Sequence, residues 1–157
     1  MNDLSMIGVT LRISVDRDVQ AVYDTLVDPS AATKFLQGVK SYQILGEGWS
    51  TVGDKRLITL DTGTTMIEKI KNLAPPHHFS YEITEINTSS RLVNMLITRG
   101  MSQCWFRANK SGGTQLTWRF SYQPRTLLIV PLLRVCMHTT YRSFMKIAMK
   151  RMSKKLN

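Results

Sequence analysis

The stretch that decides the fold runs from Thr126 to Lys155 and reads TLLIVPLLRVCMHTTYRSFMKIAMKRMSKK. After Pro131 it contains neither glycine nor proline, so a helix can continue to the end of the stretch. A helix that starts at Pro131, whose fixed φ suits a first turn, would be about 37 Å long. Because that length crosses a small domain, we expect the rest of the chain to form a surface for this helix to pack against.

Two rows of side chains give the predicted helix two different faces. An α-helix has about 3.6 residues per turn, so residues three or four apart share a side. The apolar row is Leu133, Met137, Thr140, Phe144, Ala148 and Met152, and the basic row is Arg134, His138, Arg142, Lys146, Lys150 and Lys154. We predict that the apolar row covers the core and that the basic row faces solvent.

The charge of the protein is unevenly distributed along the chain. Its net charge is +10, yet residues 1–85 contain all 11 Asp and Glu residues. From Ile86 onward the sequence has 13 basic residues and no acidic one. Such a field attracts anionic membrane surfaces, polyanions or anionic ligands, although an excess of positive charge also serves solubility alone.

Length and composition indicate one domain without a membrane span. A chain of 157 residues is long enough to bury a core of its own, and no apolar run approaches the roughly 20 residues of a spanning helix. Residues 1–6 lack a secretion pattern, so we expect a cytoplasmic protein, either free or peripheral to the membrane. Cys104 and Cys136 lack metal-ligand or redox spacing and are interpreted as small buried thiols in a reducing compartment.

Short alternating patterns before the long helix predict an antiparallel sheet. The predicted order is a strand at Ile7–Ile13, helices at Asp16–Val27 and Ala31–Leu36, and strands at Val39–Leu45, Lys55–Leu60, Thr64–Asn72, His78–Thr84, Arg91–Thr98, Gln103–Ala108 and Thr114–Gln123. The two strands on either side of Gly100 have the weakest patterns. Only the final helix is long enough to cover one sheet face. We therefore predict an α+β fold in which a curved antiparallel sheet of six to seven strands wraps the C-terminal helix, leaving a cavity between them.

Four phrases of the sequence resemble the SRPBCC superfamily, which has the helix-grip fold of START lipid-transfer domains, pollen-allergen-like proteins and polyketide cyclases/dehydrases. They are SVD at residues 14–16 before a helix that ends in VDP at 27–29, VGDKR at 52–56, LAPPHHFSY at 73–81 and GGTQLTWRF at 112–120. The resemblance implies one SRPBCC-like ligand-binding domain over residues 1–157, with an apolar cavity. Members range from enzymes to carriers, so it implies fold more than function.

The most informative pair of residues is Arg56 and Glu68, on two consecutive predicted strands. The inward set of the second strand is either Met66, Glu68 and Ile70 or Ile67, Lys69 and Lys71, and two lysines prefer water. On the first strand Ile58 and Leu60 face inward, and parity places Arg56 with them. The alternatives are reversed faces, or a pair at the cavity mouth in solvent. An inward pair could form an ion pair, hold a ligand carbonyl or hydroxyl, or perform acid–base chemistry.

The remaining candidate ligand-binding residues are apolar or aromatic side chains expected to face the cavity. Aromatic rings with polar tips suit a mostly apolar ligand that needs a few orienting hydrogen bonds, although such rings also occur in ordinary cores. The candidates are Tyr42, Ile58, Leu60, Met66, Glu68, Tyr81, Trp105, Trp118, Phe120, Met137, Thr140 and Phe144, and Tyr122 is a further aromatic wall candidate.

Two functions fit these residues. The first is binding or carriage of a small hydrophobic molecule, lipid-like or polyketide-like, between sheet and helix. The second is an enzyme of the polyketide cyclase/dehydrase type, in which Glu68 and Arg56 are the catalytic candidates and Tyr81 orients the substrate. No cofactor is expected, because phosphate-cradling glycine motifs are absent. No metal is expected either, since His77 and His78 have no carboxylate or cysteine near them in the sequence.

The basic half of the chain predicts a partner as well. The C-terminal helix could hold the protein at an anionic bilayer, because each Lys or Arg near such a surface contributes about 1 kcal/mol. Its first residues, Leu127 to Leu133, could enter the bilayer as an apolar anchor. Nucleic-acid binding is not favoured, since the sequence has neither an aromatic–basic strand motif nor a recognition helix.

Overall fold

The computed structural model describes residues 5–156, apart from the side chains of Leu92 and Met95. Residues 1–4, which belong to the segment without a secretion pattern, and residue 157 lie outside that range. Seven strands form one antiparallel sheet in the order β1-β7-β6-β5-β4-β3-β2. The strands are β1 (Ile7–Val15), β2 (Val39–Leu45), β3 (Lys55–Leu60), β4 (Thr65–Ala74), β5 (His78–Asn87), β6 (Ile97–Ala108) and β7 (Thr114–Pro124). The predicted α+β helix-grip architecture is confirmed.

Two short helices follow β1, as the sequence predicts. They are α1 (Val19–Val27) and α2 (Ala31–Phe35). Asp18 caps α1, because its Oδ1 accepts a hydrogen bond from the Ala21 amide at 3.0 Å and so satisfies a donor that the first turn leaves unpaired. The helix α2 packs on the last helix of the chain and buries Phe35 at one end of the sheet.

The segment before β6 differs from its prediction as a strand at Arg91–Thr98. Residues Arg91–Leu96 form a helix, α3, whose first turn is capped by the Ser90 hydroxyl, which accepts from the Val93 amide. The strand β6 then runs without interruption through Gly100. A Cβ at that position would lie 2.8 Å from Cε1 of Tyr122, so the glycine lets β6 pass beneath a tyrosine ring. Sequence alternation missed α3 because a capped six-residue helix leaves almost no periodicity. It also missed the continuity of β6 through Gly100.

The C-terminal helix extends from Leu127 to Leu156 but is not one regular α-helix. It begins as a 3₁₀ turn (Leu127–Ile129) and continues as α4 (Val130–Cys136), a π-helical turn (Met137–Tyr141) and α5 (Arg142–Leu156). Pro131 lies in the first α-helical turn, as expected. The predicted apolar row is buried at both ends, whereas Thr140 is exposed and Phe144 is half-buried in the middle. The π turn causes that change, because it shifts the side chains that follow it.

The core lies between the inner face of the sheet and the C-terminal helix. The strand β7 shows how the sheet contributes to it: Leu116, Trp118 and Phe120, at a period of two, are all buried. The helix contributes Met145 and Met149, which are almost completely buried. Methionine side chains fill irregular gaps well, which suits the space next to a π turn.

Candidate functional site

A buried ion pair lies on the inner face of the sheet, where β3 and β4 are neighbours. Arg56 and Glu68 are directly opposite each other in the strand register, and each is 3% exposed. The guanidinium Nε and Nη2 atoms both contact Glu68 Oε2 at 2.7 Å. Nη1 donates to the carbonyl oxygen of Pro29 at 2.8 Å, between α1 and α2. The inward-facing sides of β3 and β4 are therefore the predicted ones and not the reverse. The ion pair is buried and not exposed to solvent at the cavity mouth.

Two aromatic rings hold the Arg56 guanidinium in place. Its carbon Cζ lies 4.4 Å from the ring centroid of Trp49 and 5.6 Å from that of Tyr81. Arginine tolerates such burial because its planar, weakly hydrated cation stacks on aromatic faces. With ring contacts, the carboxylate and a backbone carbonyl around it, Arg56 is fixed in one orientation.

Two chambers lie between the sheet and the C-terminal helix. The smaller has a volume of about 50 Å³, and Arg56 lies in its wall. The larger has a volume of about 260 Å³, and Glu68 lies in its wall. Leu36, Tyr81 and Trp118 line both chambers and so form much of the partition between them. The ion pair therefore connects the walls of the two chambers.

The partition carries the polar groups of the site. Trp118 Nε1 donates to Ser102 Oγ at 2.9 Å, and that serine is 1% exposed. Burial, and then the Glu68 charge, raise the pKa of the Tyr81 phenol above its ordinary value. Burial likewise raises the pKa of Tyr122 to about 12 and that of Tyr141 well above 10. All three phenols are consequently protonated at neutral pH, and those of Tyr122 and Tyr141 form a hydrogen bond with each other.

An aromatic cluster forms one end of the larger chamber. The rings of Phe120 and Tyr141 have centroids 4.7 Å apart, and Tyr122 lies 5.0 Å from Phe120. Phe144 extends the cluster, with its centroid 5.4 Å from that of Tyr141. These are ordinary distances for interacting aromatic pairs, so the cluster provides a firm apolar wall.

The larger chamber opens to solvent beside the π turn. Thr140 of that turn and Gln37 of the α2–β2 connection both line the chamber, and both are exposed. A ligand can therefore enter between the middle of the C-terminal helix and the α2–β2 connection.

A family model described as "Polyketide cyclase / dehydrase and lipid transport" matches residues 6–157. The chain belongs to this polyketide cyclase/dehydrase and lipid transport family. The match confirms the resemblance to the SRPBCC superfamily that the sequence phrases indicated. A search of curated proteins found no match.

Several solved structures of other proteins share the fold of this chain over nearly its whole length. The protein XoxI from Bacillus cereus has a TM-score of 0.73 at 12% identity and covers 96% of both chains. A START superfamily protein from Mycobacterium smegmatis has a TM-score of 0.73 at 10% identity and covers 98% of this chain and 100% of its own. Norcoclaurine synthase from Thalictrum flavum, a point mutant bound to a transition-state analogue, has a TM-score of 0.71 at 14% identity, covering 99% of this chain and 97% of its own. At these identities the likeness shows the fold alone.

Most of the candidate residues proposed from the sequence do lie in the wall of the larger chamber. Those that do are Ile58, Leu60, Met66, Glu68, Tyr81, Trp118, Phe120, Thr140 and Phe144, and Tyr122 joins them. Tyr141, in the π turn, also lines this chamber and was not among the residues proposed from the sequence. The residues of α2 and α5 around the smaller chamber were missed as well, since sequence alternation does not show where two helices leave a gap.

Three proposed residues line neither chamber. Trp105 is on the outer face of the sheet against His78, with ring centroids 5.3 Å apart, because the inward positions of β6 are even-numbered at this point. Tyr42 is opposite Ile58 in the register, but it is only half-buried on the edge strand β2. Met137 is 1% exposed and packs into the core instead.

The cysteine in the smaller chamber is expected to be unreactive. Burial raises the pKa of Cys104 to about 12, and the thiolate is the form that reacts with alkylating reagents. Cys136 is only partly buried. At pH 8 we expect iodoacetamide to modify Cys136 at least ~10-fold faster than Cys104, as measured by peptide mass spectrometry. In urea the two rates should converge, and equal rates in the folded protein would contradict the burial of Cys104.

Within residues 5–156, no group of three or more His, Cys, Asp or Glu residues is placed to hold a metal ion. No helix in the same range is both long and apolar enough to cross a bilayer.

Proposed function

We propose that residues 1–157 form one ligand-binding domain, which binds and carries a small hydrophobic molecule in the larger chamber. The supporting observation is a chamber of about 260 Å³ with largely apolar walls, a buried ion pair in its wall and an opening at Thr140. Sites for small molecules commonly begin at about 300 Å³, are mostly apolar and carry a few placed polar groups. The observed chamber has this character and suits a ligand at the small end of the range.

The charge balance of the wall favours a neutral ligand. Arg56 is already neutralised by Glu68, so the buried pair offers no uncompensated cation to a carboxylate or phosphate. Arg56 contacts the carboxylate at Oε2, so a ligand hydroxyl would be accepted at the other oxygen, Oε1. Tyr122 and Tyr141 share a side-chain hydrogen bond, which uses one phenol O–H of the pair and leaves the other to donate to a ligand carbonyl. We therefore propose a lipid-like or polyketide-like molecule with a hydroxyl or carbonyl group.

Blocking the opening tests this proposal. In Thr140→Trp the new indole would occupy the entrance, and we expect the Kd of the neutral probe N-phenyl-1-naphthylamine to rise at least ~10-fold. Thr140 is exposed, so the midpoint of thermal unfolding should change little. The measurement is fluorescence titration of the probe.

Thr139→Trp is the matched control for that experiment. Thr139 is the neighbouring exposed residue and does not line the chamber. The control should bind the probe as the unmodified protein does. Equal affinities for all three proteins would refute binding in the chamber, and so would probe binding that weakens equally in both variants.

An enzyme of the cyclase/dehydrase type is the second candidate function. It is favoured by a carboxylate, Glu68, and a protonated phenol, Tyr81, that line the same chamber. A carboxylate base and a phenol donor are suitable for moving a proton on a folded polyketide chain. If this function is correct, the absorbance or mass of a bound polyketide changes over time with the unmodified protein. With Tyr81→Phe the same change is much slower. Binding without any such change supports the carrier.

An anionic membrane surface remains the macromolecular partner that we propose for this carrier, at the cytoplasmic side. An apolar ligand is sparingly soluble, so a carrier gains by loading at a bilayer. Nucleic acid stays disfavoured as a partner, for the reasons of sequence given above.

A further inference from the structure

The exposed side of the C-terminal helix is apolar at its beginning. Leu128 is 92% exposed, Leu127 70%, Val135 60% and Leu132 48%. Large apolar side chains standing in solvent on one short segment form a patch of the kind that marks an interaction site. We call these four residues the apolar end.

Further along, the exposed part of the helix is basic. Arg142, Lys146, Lys150 and Lys154 follow at four-residue steps, are all exposed, and are called here the basic end. With Arg12 of β1 they line an open groove of about 740 Å³ between α5 and the edge strand. Among the described residues that line this groove, none is acidic. The groove is therefore a continuous cationic surface.

From this arrangement we propose that the outer side of the C-terminal helix docks on an anionic bilayer. The apolar end enters the interface between headgroups and acyl chains, and the basic end lies along the anionic headgroups. Amphipathic membrane helices usually separate apolar from basic residues around the helix axis. Here the separation runs along the axis, because the opposite side of the helix is already used for the core. A helix with this polarity must tilt, with Leu127 and Leu128 deepest.

The occupant is inferred from charge complementarity on the described surface. A bilayer offers both an apolar layer for the apolar end and a charged layer for the basic end. Each lysine or arginine near an anionic surface strengthens binding about fivefold, so four or five of them act together with the apolar end.

Docking in this orientation also positions the chamber opening. Thr140, at the opening, is adjacent to Thr139 on the exposed side of the helix. The opening would then lie within about one helix diameter, roughly 10–12 Å, of the bilayer surface. This consequence builds on the proposed carriage, whereas the docking itself does not depend on any cavity ligand.

Co-sedimentation with vesicles tests the docking. We expect the full chain to bind vesicles of phosphatidylcholine with about one third phosphatidylglycerol, and to bind pure phosphatidylcholine at least ~10-fold more weakly. Binding to the mixed vesicles should weaken as ionic strength rises, because salt screens exposed charges. The absence of binding to the mixed vesicles at low salt would overturn the proposal.

Paired variants show whether this surface, rather than total charge or hydrophobicity, is responsible. Leu128→Asp should weaken vesicle binding at least ~10-fold, while Val52→Asp, at a 62% exposed valine on another loop, should not. Lys150→Glu should weaken it about tenfold or more, while Lys110→Glu, with the same change of net charge in the β6–β7 turn, should have little effect.

The other outcomes overturn the proposal in distinct ways. Equal losses from the two lysine variants would mean that only net charge matters. Equal losses from Leu128→Asp and Val52→Asp would mean that the apolar end has no special role. Concentration-dependent dimerisation that Leu128→Asp abolishes, without vesicle binding, would assign the surface to a second copy of the chain. None of these results affects probe binding in the chamber, so docking and the proposed ligand function fail separately.

Discussion

Replacing Glu68 by glutamine is expected to lower the free energy of unfolding by about 3–5 kcal/mol. The substitution keeps the shape of the side chain but leaves the Arg56 guanidinium, 3% exposed, without its counter-charge. Burying an unpaired charge costs far more than the net stability that the intact pair provides. The difference is measured by urea unfolding of the variant and of the unmodified protein. The two curves are compared at equal m-value, the slope of the unfolding free energy against urea concentration.

The matched control for Glu68→Gln is an ion-pair cluster on the same sheet in which Glu82 is only 9% exposed but both of its basic partners reach solvent. Glu82 contacts Lys71 and Arg99 at 3.4 Å each, and both basic side chains are nearly half exposed. Because solvent screens such contacts, Glu82→Gln should cost about 0–1 kcal/mol.

Removing both partners of the buried pair separates charge from packing. In Arg56→Met/Glu68→Leu, no buried charge remains, and the double variant should lose less stability than Glu68→Gln alone. Two results would contradict a buried, structurally coupled pair: equal small losses from Glu68→Gln and Glu82→Gln, or strictly additive losses in the double variant.

Trp118→Ala is expected to have two large effects, one on stability and one on ligand preference. The ring is 8% exposed and lies in the partition between the chambers. Deleting a buried tryptophan costs about 3–5 kcal/mol, and it leaves the Ser102 hydroxyl without its donor. The two chambers then join, so ligands that are too long for the larger chamber can extend into the smaller.

Titration with a series of primary alcohols of increasing length measures the change of preference. The unmodified protein should prefer shorter alcohols, and Trp118→Ala should prefer alcohols longer by several carbons. Trp105→Ala deletes the same residue type from the outer sheet face, so it should cost about 1 kcal/mol or less and leave the preference unchanged. If the alanine variant does not fold, Trp118→Leu opens part of the same partition. An unchanged length preference in a folded variant would show that the chambers are not used together.

Sequence reasoning predicted the sheet side of the site well, for a simple physical reason. Strand side chains alternate strictly, so placing two lysines in water was enough to orient Met66, Glu68 and Arg56 together. The same rule failed for Trp105, because β6 was predicted as two pieces and its inward positions could not be assigned. It could not place α3 either, where one capping serine, Ser90, decides a six-residue helix.

The helix side of the site was predicted less completely. An unbroken 3.6-residue period describes α4 and α5 separately, but it does not predict the π turn between them, after which Met145 rather than Phe144 is fully buried. The partner of Arg56 at Pro29 was also invisible in the sequence, because a backbone carbonyl has no residue signature. Contacts between distant segments, rather than local patterns, determine both features.

The π turn gives the C-terminal helix one more residue than its packing needs. Met137 and Met145 are both buried and are eight residues apart, whereas a regular α-helix returns to the same side after seven. Loss of one residue between them would leave both flanking segments facing as they do now, with an ordinary helix between them. Loss of a residue elsewhere in α5 would turn everything after it by about 100° and bury lysines. Related chains should therefore differ in length by one residue at this turn more readily than anywhere else along the helix.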